Sequence, residues 1–402
     1  MTSSMDARAG AGATGSGDAT GNADGSGLRA IVVGAGFAGE GHTVALRENG
    51  VAIEAICART PSAVQAMADR LEIPRASTDW RRTLAEIGPD IVAVATPAGA
   101  HAEVIEAALE RGCHVFSDKP LAPTAPVARR LYELARDAGV KHAYAATHRY
   151  DPSVEWLEEL VRDGTIGRVG EIEGTFRRHI HPLMPWSWYD SVALGGGLLH
   201  NALPHWLGIL QRILGGEVQA AVGETRRVRE RAPVVPDIHD FRLRGAARPS
   251  PEEAERLEWR DCDSDSGFTA LLRIGTRDAD SAAQVALSAT GHPAVWPPNG
   301  WRFNGTDGTL VADGHFSYAV RLHRAGEPAD RWEDLAIPQR ILDAHPLVGD
   351  EFQRKWTALA RDFIGDVIGQ PGRRYLTFRD GWRFQETFDT IRAGQGWTSI
   401  PG

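Results

Sequence analysis

Three stretches of this 402-residue chain hold side chains whose types and spacing could do chemistry. In GGGLLHNALPHWL, residues 195–207, a glycine trio runs into an apolar helical pattern that carries Asn201 and His205. Spaced i, i+4, the amide and the imidazole share one helical face. An imidazole is suited to general acid or base work near neutrality, although a lone histidine on an apolar helix is also an ordinary core residue. In VGAGFAG, Gly34, Gly36 and Gly39 follow G-x-G-x-x-G order around Phe37 and Ala38, after a β-branched run and before a helical pattern. The first glycine makes a tight turn, the second lets a pyrophosphate approach the backbone, and the third lets helix and strand pack closely, so the stretch reads as a dinucleotide fingerprint. In the third stretch, Asp118-Lys119-Pro120 closes an apolar strand at the edge where open α/β sheets bind ligands. An ammonium there could polarise a substrate oxygen or hold a nicotinamide ribose.

Where an acidic residue would hold the adenosine ribose, about 20 residues past the fingerprint, strand two ends in ICART. Ala58 stands in the acid's place, followed by Arg59 and Thr60. A guanidinium and a hydroxyl suit a 2′-phosphate better than a free diol, which favours NADP over NAD. Stacking of Arg59 on the adenine, with use of both cofactors, is the other reading.

These groups need elements to position them. Between residues 28 and 148, short apolar runs alternate with helical patterns across short turns, the signature of a doubly wound parallel sheet. After Tyr150 a helix, a polar alternating strand (GEIEGTFRRHIH), a Trp- and Pro-rich passage and a series of strands predict an α+β domain over 149–402 with a largely antiparallel open sheet. WRFNGTDGTLVADG reads as a hairpin within it. Residues 1–27 are Gly, Ala, Ser, Thr and Asp with hardly any large apolar side chain, and read as a disordered tail with no signal peptide.

Net charge is −9 with no basic block, so neither nucleic acid nor an anionic membrane is an expected partner. No apolar run reaches the roughly 20 residues of a membrane span. Cys57, Cys113 and Cys262 lie far apart, which fits a reduced cytoplasmic setting and no zinc-thiolate site. His179 and His181 alternate on one strand face but lack a third ligand at suitable spacing, so no metal is expected. Trp186, Trp188 and Tyr189 would suit a sugar ring, or pack a loop on the core.

With these motifs in order, the chain resembles the Gfo/Idh/MocA oxidoreductases, the group of glucose–fructose oxidoreductase and inositol dehydrogenase. The series VGAGFAG, STDWRRTL, VAVATPAGAHAEVIEAALERGCHVFSDKPLA, THRYDPSV, GGGLLHNALPH, FNGTDGTLVAD and FRDGWRFQETFDTIRAGQGWTSI carries the resemblance. It implies a Rossmann domain holding NAD(P) and a second domain facing a sugar, cyclitol or related polyol. His205 would be the general acid/base, with a pKa near the ordinary 6.5, and Lys119 would stabilise alkoxide charge across the substrate oxygen. Asn201 stands where many members carry aspartate; it can orient substrate hydroxyls or His205 but cannot ionise. Thr96, Pro97 and His101 would border the nicotinamide ribose, Arg149 would lie by the cofactor near the domain junction, and His179 and Trp188 would line the substrate pocket. The resemblance also implies a homo-oligomer, dimer or tetramer, joined through the C-terminal sheet. Some relatives use retained NAD in transient oxidation to cleave glycosides, and others bind sugar or nucleotide only as sensors. Keeping both Lys119 and His205 speaks against a sensor.

Overall fold

The structure, a computed structural model, describes residues 24–400 apart from 239, 279–280, 294–297, 316 and 373. Most of the expected disordered tail, residues 1–23, lies outside the described residues. Its last four residues, by contrast, turn back on the domain, and the Gly25 N–H donates to the Asn49 carbonyl at 2.9 Å.

The first domain alternates β1 (Arg29–Val33), α1 (Phe37–Arg47), β2 (Ala52–Cys57), α2 (Pro61–Arg70), β3 (Ala76–Ser77), α3 (Trp80–Ile87), β4 (Ile91–Val94), α4 (His101–Leu109), β5 (His114–Ser117), α5 (Ala125–Ala138) and β6 (His142–Tyr144). Its strands form one parallel sheet in the order β3-β2-β1-β4-β5-β6. The chain reverses direction across the sheet between β1 and β4, so a crevice opens at their carboxyl ends. After Arg29, both strands are apolar and buried because helices cover both faces.

The second domain follows with α6 (Pro152–Arg162), β7 (Val169–Arg177), α7 (Leu198–Leu214), β8 (Gly215–Arg226), β9 (Arg231–Pro233), α8 (Pro251–Ala254), β10 (Trp259–Asp261), β11 (Gly267–Thr276), β12 (Ala282–Thr290), β13 (Gly300–Gly305), β14 (Gly308–Gly314), β15 (Tyr318–Arg324) and β16 (Glu333–Leu335). Helices α9 (Gln339–Ala344), α10 (Glu351–Val367) and α11 (Phe378–Ala393) and the short β17 (Thr398–Ser399) end the chain. Nine strands pair as β16-β15-β14-β13-β7-β12-β11-β8-β17, antiparallel except for β7 with β12. β11 alternates buried and exposed residues, as a sheet covered on one face requires. Its buried side carries Phe268 and Leu272, which join Trp206 of α7 and Trp301 of β13 in one core.

One segment crosses the division expected at residue 148. α10 packs on α1 of the first domain, where a side chain at Gly41 would strike the Trp356 indole. Trp356, Phe363 and Ile364 thereby belong to the core beneath the first sheet. No described helix is long and apolar enough to cross a membrane.

Candidate active site

A cleft of about 1330 Å³ runs from the glycine loop to the start of α7, lined by both domains. Small-ligand pockets span roughly 300–1,000 Å³, so this one has room for a dinucleotide and a second small molecule.

Gly34, Gly36, Phe37 and Ala38 line one end. Gly34 has φ +126°, and a side chain there would meet the Ala95 backbone, so only glycine fits the turn. A Cβ on Gly36 would meet nothing within 4 Å and would stand in the open cleft, the space a phosphate needs. Gly39 is buried and lies outside the lining; a Cβ there would run into the Gly34 carbonyl, which is the close helix–strand contact expected of the third glycine. Further along, Arg59 and Thr60 line the cleft beside Ala58, and the Arg59 guanidinium is exposed. Thr96 and Pro97 line the middle, where the buried Thr96 Oγ1 has no hydrogen-bond partner. A cradle that a side chain would fill, an uncapped helix start and an orphaned hydroxyl together fit a nicotinamide dinucleotide.

His101 stands apart from the lining. It is fully buried, with Nε2 at 2.7 Å from the Thr96 carbonyl and Nδ1 at 3.3 Å from that of Leu121, and it braces the turn from behind. Burial pushes its pKa down to about 4.

At the other end, α7 presents Asn201 and His205 to the cleft, as their spacing predicts. His200, on another face, packs towards α11, with Gln385 and Arg392 nitrogens 3.1 Å from its Nε2. Lys119 reaches across from the end of β5 and donates to Asn201 Oδ1 at 2.9 Å. Asn201 Nδ2 in turn donates to the Gly197 carbonyl at 2.8 Å. Lysine only donates and a carbonyl only accepts, so this pairing fixes which way the amide faces. Asn201 therefore orients Lys119 rather than His205.

His205 is buried, its Nδ1 lacks a hydrogen-bond partner, and its ring stacks on His148. The expected ordinary pKa does not hold: burial first, then the charges of His148, Lys119 and Lys355, push it well below the usual histidine value. Burial also draws the Lys119 pKa down, opposed by the Asp118 carboxylate. Asp118 lines the cleft, and its Oδ1 accepts from the Lys119 N–H at 2.8 Å.

Arg149 does not line the cleft; the preceding residue, His148, does. The two sit in a 3₁₀ turn, Thr147–Tyr150, where successive side chains point about 120° apart. His179 is exposed and outside the lining, where Arg178 appears instead. Trp188 lines the cleft beside Trp186 and Tyr189. Their loop is pinned by the buried Asp190, which receives Arg229 at 2.7 Å and Arg244 at 2.6 Å. Sequence reading missed His148, Arg178, Phe241 and His315, all of which line the cleft. Only the histidine of THRYDP carried a signal, by adjacency to Arg149. Among the described residues no group of three His, Cys, Asp or Glu side chains could hold a metal.

Comparison with known proteins agrees with this geometry. The GFO/IDH/MocA model described as "Oxidoreductase family, NAD-binding Rossmann fold" matches residues 28–146, and the GFO/IDH/MocA C-terminal domain matches residues 154–311. Levoglucosan dehydrogenase of Pseudarthrobacter phenanthrenivorans is 26% identical over 398 residues, 93% of this chain and 98% of that protein. D-glucoside 3-dehydrogenase of Escherichia coli is 32% identical over 193 residues, 47% of this chain and 54% of its own. The solved complex of levoglucosan dehydrogenase with NADH and L-sorbose superimposes with a TM-score of 0.78 at 21% identity, covering 93% of this chain and 99% of the other. The chain belongs to the GFO/IDH/MocA family of oxidoreductases with an NAD-binding Rossmann fold.

Proposed function

We propose that the protein oxidises a secondary hydroxyl of a sugar, cyclitol or related polyol, or reduces the matching ketone, with NAD(P) in the glycine-lined half of the cleft. The observation that carries the reading is the meeting of Lys119, Asn201 and His205 at one end of that cleft. Two relatives that are dehydrogenases of levoglucosan and of D-glucosides support the substrate class.

Gly34, Gly36 and the start of α1 would hold the pyrophosphate, Arg59 and Thr60 the adenosine end, and Thr96 and Pro97 the nicotinamide ribose. Bound there, the dinucleotide supplies a two-electron acceptor or donor. His205, neutral because it is buried, takes the hydroxyl proton in oxidation and returns it in reduction. The Lys119 ammonium, aimed by Asn201, stabilises negative charge developing on the same oxygen. Trp188 and Trp206 offer aromatic faces to the ring of the substrate. The exposed Arg59 guanidinium supports NADP over NAD, and Arg59→Ala should weaken NADPH by about 1–3 kcal/mol while sparing NADH. The reading includes a homo-oligomer through the outer face of the nine-stranded sheet, where Leu271 is exposed.

Mass spectrometry for retained dinucleotide, followed by a screen of sugars and polyols on reduced-nicotinamide absorbance, tests the proposal. On the substrate found, His205→Ala and Lys119→Ala should each lower kcat by roughly 10²–10⁴ with cofactor affinity little changed. Wild-type turnover in His205→Ala would overturn the assignment.

A further inference from the structure

We propose that the substrate carries an anionic substituent, a carboxylate or a phosphate ester, and that Arg178 receives it. The inference rests on the dehydrogenase reading of the cleft and adds the chemical class of its substrate.

Arg178 directly follows β7 and lines the same end of the cleft as Phe176, Asn201 and His205. Its guanidinium lies over the Phe241 ring at 5.4 Å and the Tyr189 ring at 5.9 Å. These aromatic faces hold a cation in place without neutralising it. No ion pair or side-chain hydrogen bond to Arg178 occurs among the described residues. Its neighbours are all provided for. Arg244, which shares the same two rings, pairs with Asp190 at 2.6 Å, and Arg229 pairs with the same carboxylate at 2.7 Å. Arg177 turns to the other side of the strand, towards the Ser288 carbonyl at 3.3 Å.

Two cations, Lys119 and Arg178, face the reacting end. Lys119 meets a neutral amide at Asn201, and Arg178 is near enough to it to help depress its pKa. Opposite these two cations stands Asp118, whose Oδ1 accepts from the Lys119 N–H. Glu103, paired with Arg81 at 2.9 Å, and Asp237 also line the cleft, so over the whole lining four cations (Arg59, Lys119, Arg178, Arg260) face three acids (Glu103, Asp118, Asp237). Arg260 lies over Trp186 at 4.5 Å with Glu258 at 3.5 Å. Arg178 is exposed to the cleft rather than buried. Two like charges facing one cleft repel, and a bound anion relieves that repulsion. The planar fork of arginine matches the paired oxygens of a carboxylate or a phosphate, whereas a neutral hydroxyl would leave the charge in place.

The test uses the whole protein saturated with the reduced form of whichever dinucleotide, NAD or NADP, it binds more tightly, so that no probe is oxidised during the titration, and three probes: methyl glucoside, methyl glucuronoside and glucose 6-phosphate. Calorimetric affinities should favour one anionic probe over the neutral one by about tenfold or more. Which anion gains separates a carboxylate from a phosphate substrate. The preference should vanish in Arg178→Met, survive in part in Arg178→Lys, and weaken with added salt. Equal affinities in the wild type, a preference kept by Arg178→Met, or no binding of any probe would overturn the inference. Turnover of the three probes with the oxidised dinucleotide reads the dehydrogenase assignment separately. Oxidation of the neutral glucoside alone leaves that assignment standing and overturns this one. An anion preference removed by Arg178→Met, with no probe or polyol oxidised, would leave the anion site standing and overturn the dehydrogenase.

Discussion

The imidazole of His205 lies face to face with that of His148, ring centroids 3.8 Å apart and planes 12° from parallel. Two rings so placed do not both take a proton, and burial with the Lys119 and Lys355 charges pushes each pKa well below the ordinary value. The catalytic consequence has a definite sign. A base must be neutral to accept a proton, so a depressed pKa keeps oxidation running to lower pH. The acid limb of kcat/KM for oxidation should fall below the ordinary histidine value of about 6.5. His148→Phe keeps a flat ring in place and removes the neighbouring charge, so the limb should move up in pH yet stay below that value, because burial is the larger cause. A wild-type limb at or above it would remove His205 as the base.

Asn201 answers to two partners at once, the Lys119 ammonium at 2.9 Å and the Gly197 carbonyl at 2.8 Å. Asn201→Asp satisfies the first and opposes the second, since a carboxylate cannot donate to a carbonyl. The new charge also favours the protonated forms of Lys119 and His205. The acid limb for oxidation should therefore rise relative to wild type, and kcat should fall as the lysine charge is masked. A pH–rate profile unmoved by the substitution would place Asn201 outside the reacting group.

How much of this was legible before the structure depends on whether the signal was local. The glycine fingerprint is local, because turn geometry, helix start and close packing sit within six residues. The Asn201–His205 face is equally local, since helical periodicity alone aligns it. The partners of those residues are not. Arg149 and His148 differ by one step in a tight turn, and sequence gives no phase for so short an element. Arg178 could not be separated from Arg177 or His179 without knowing where β7 ends relative to the cleft. The return of α10 to the first domain depends on Trp356 meeting Gly41, a contact between positions more than three hundred residues apart in the chain. The spacing of Asn201 points to substrate or His205 as its partner, because the approach of Lys119 from another domain leaves no trace in it.

The glycine loop offers a clean separation of binding from folding. Gly36 has φ −106°, open to any residue, and a Cβ there meets nothing within 4 Å. Gly36→Val should thus leave the melting temperature within a few degrees of wild type. The branched side chain would occupy the space of the pyrophosphate and abolish dinucleotide binding. Fluorescence titration with NADH and NADPH on the folded variant measures this, and unchanged affinity would remove the loop as the phosphate site.

Asp265 sets the start of α7 from 66 residues away. Its Oδ2 accepts from the Leu199 N–H at 2.8 Å, and its backbone carbonyl accepts from the Leu198 N–H at 3.1 Å. It thus caps α7, whose own N-cap residue Gly197 has no side chain; φ +95° and the nearness of Asp265 leave no room for one. Burial raises the Asp265 pKa to about 6 against the helix-start N–H groups that favour its charge. An acid whose folded pKa lies above its unfolded value of about 3.9 binds extra protons in the fold between those two values. Its contribution to stability is therefore complete below the unfolded pKa and is lost as pH rises to about 6. Asp265→Asn keeps an acceptor for the Leu199 N–H and cannot ionise. Denaturant unfolding at a series of pH values should show wild type gaining on this variant, by on the order of 2 kcal/mol, between about pH 6 and pH 4. Taking the difference cancels the opposite slope of the buried histidines, which destabilise both proteins equally on acidification. Asp265→Ala loses the cap and should cost about 1–2 kcal/mol at neutral pH, with a fall in kcat as the end of α7 that carries Asn201 loosens. A pH-independent difference between wild type and Asp265→Asn would mean that the carboxylate stays ionised throughout, and that its buried Oδ1 has a partner in solution.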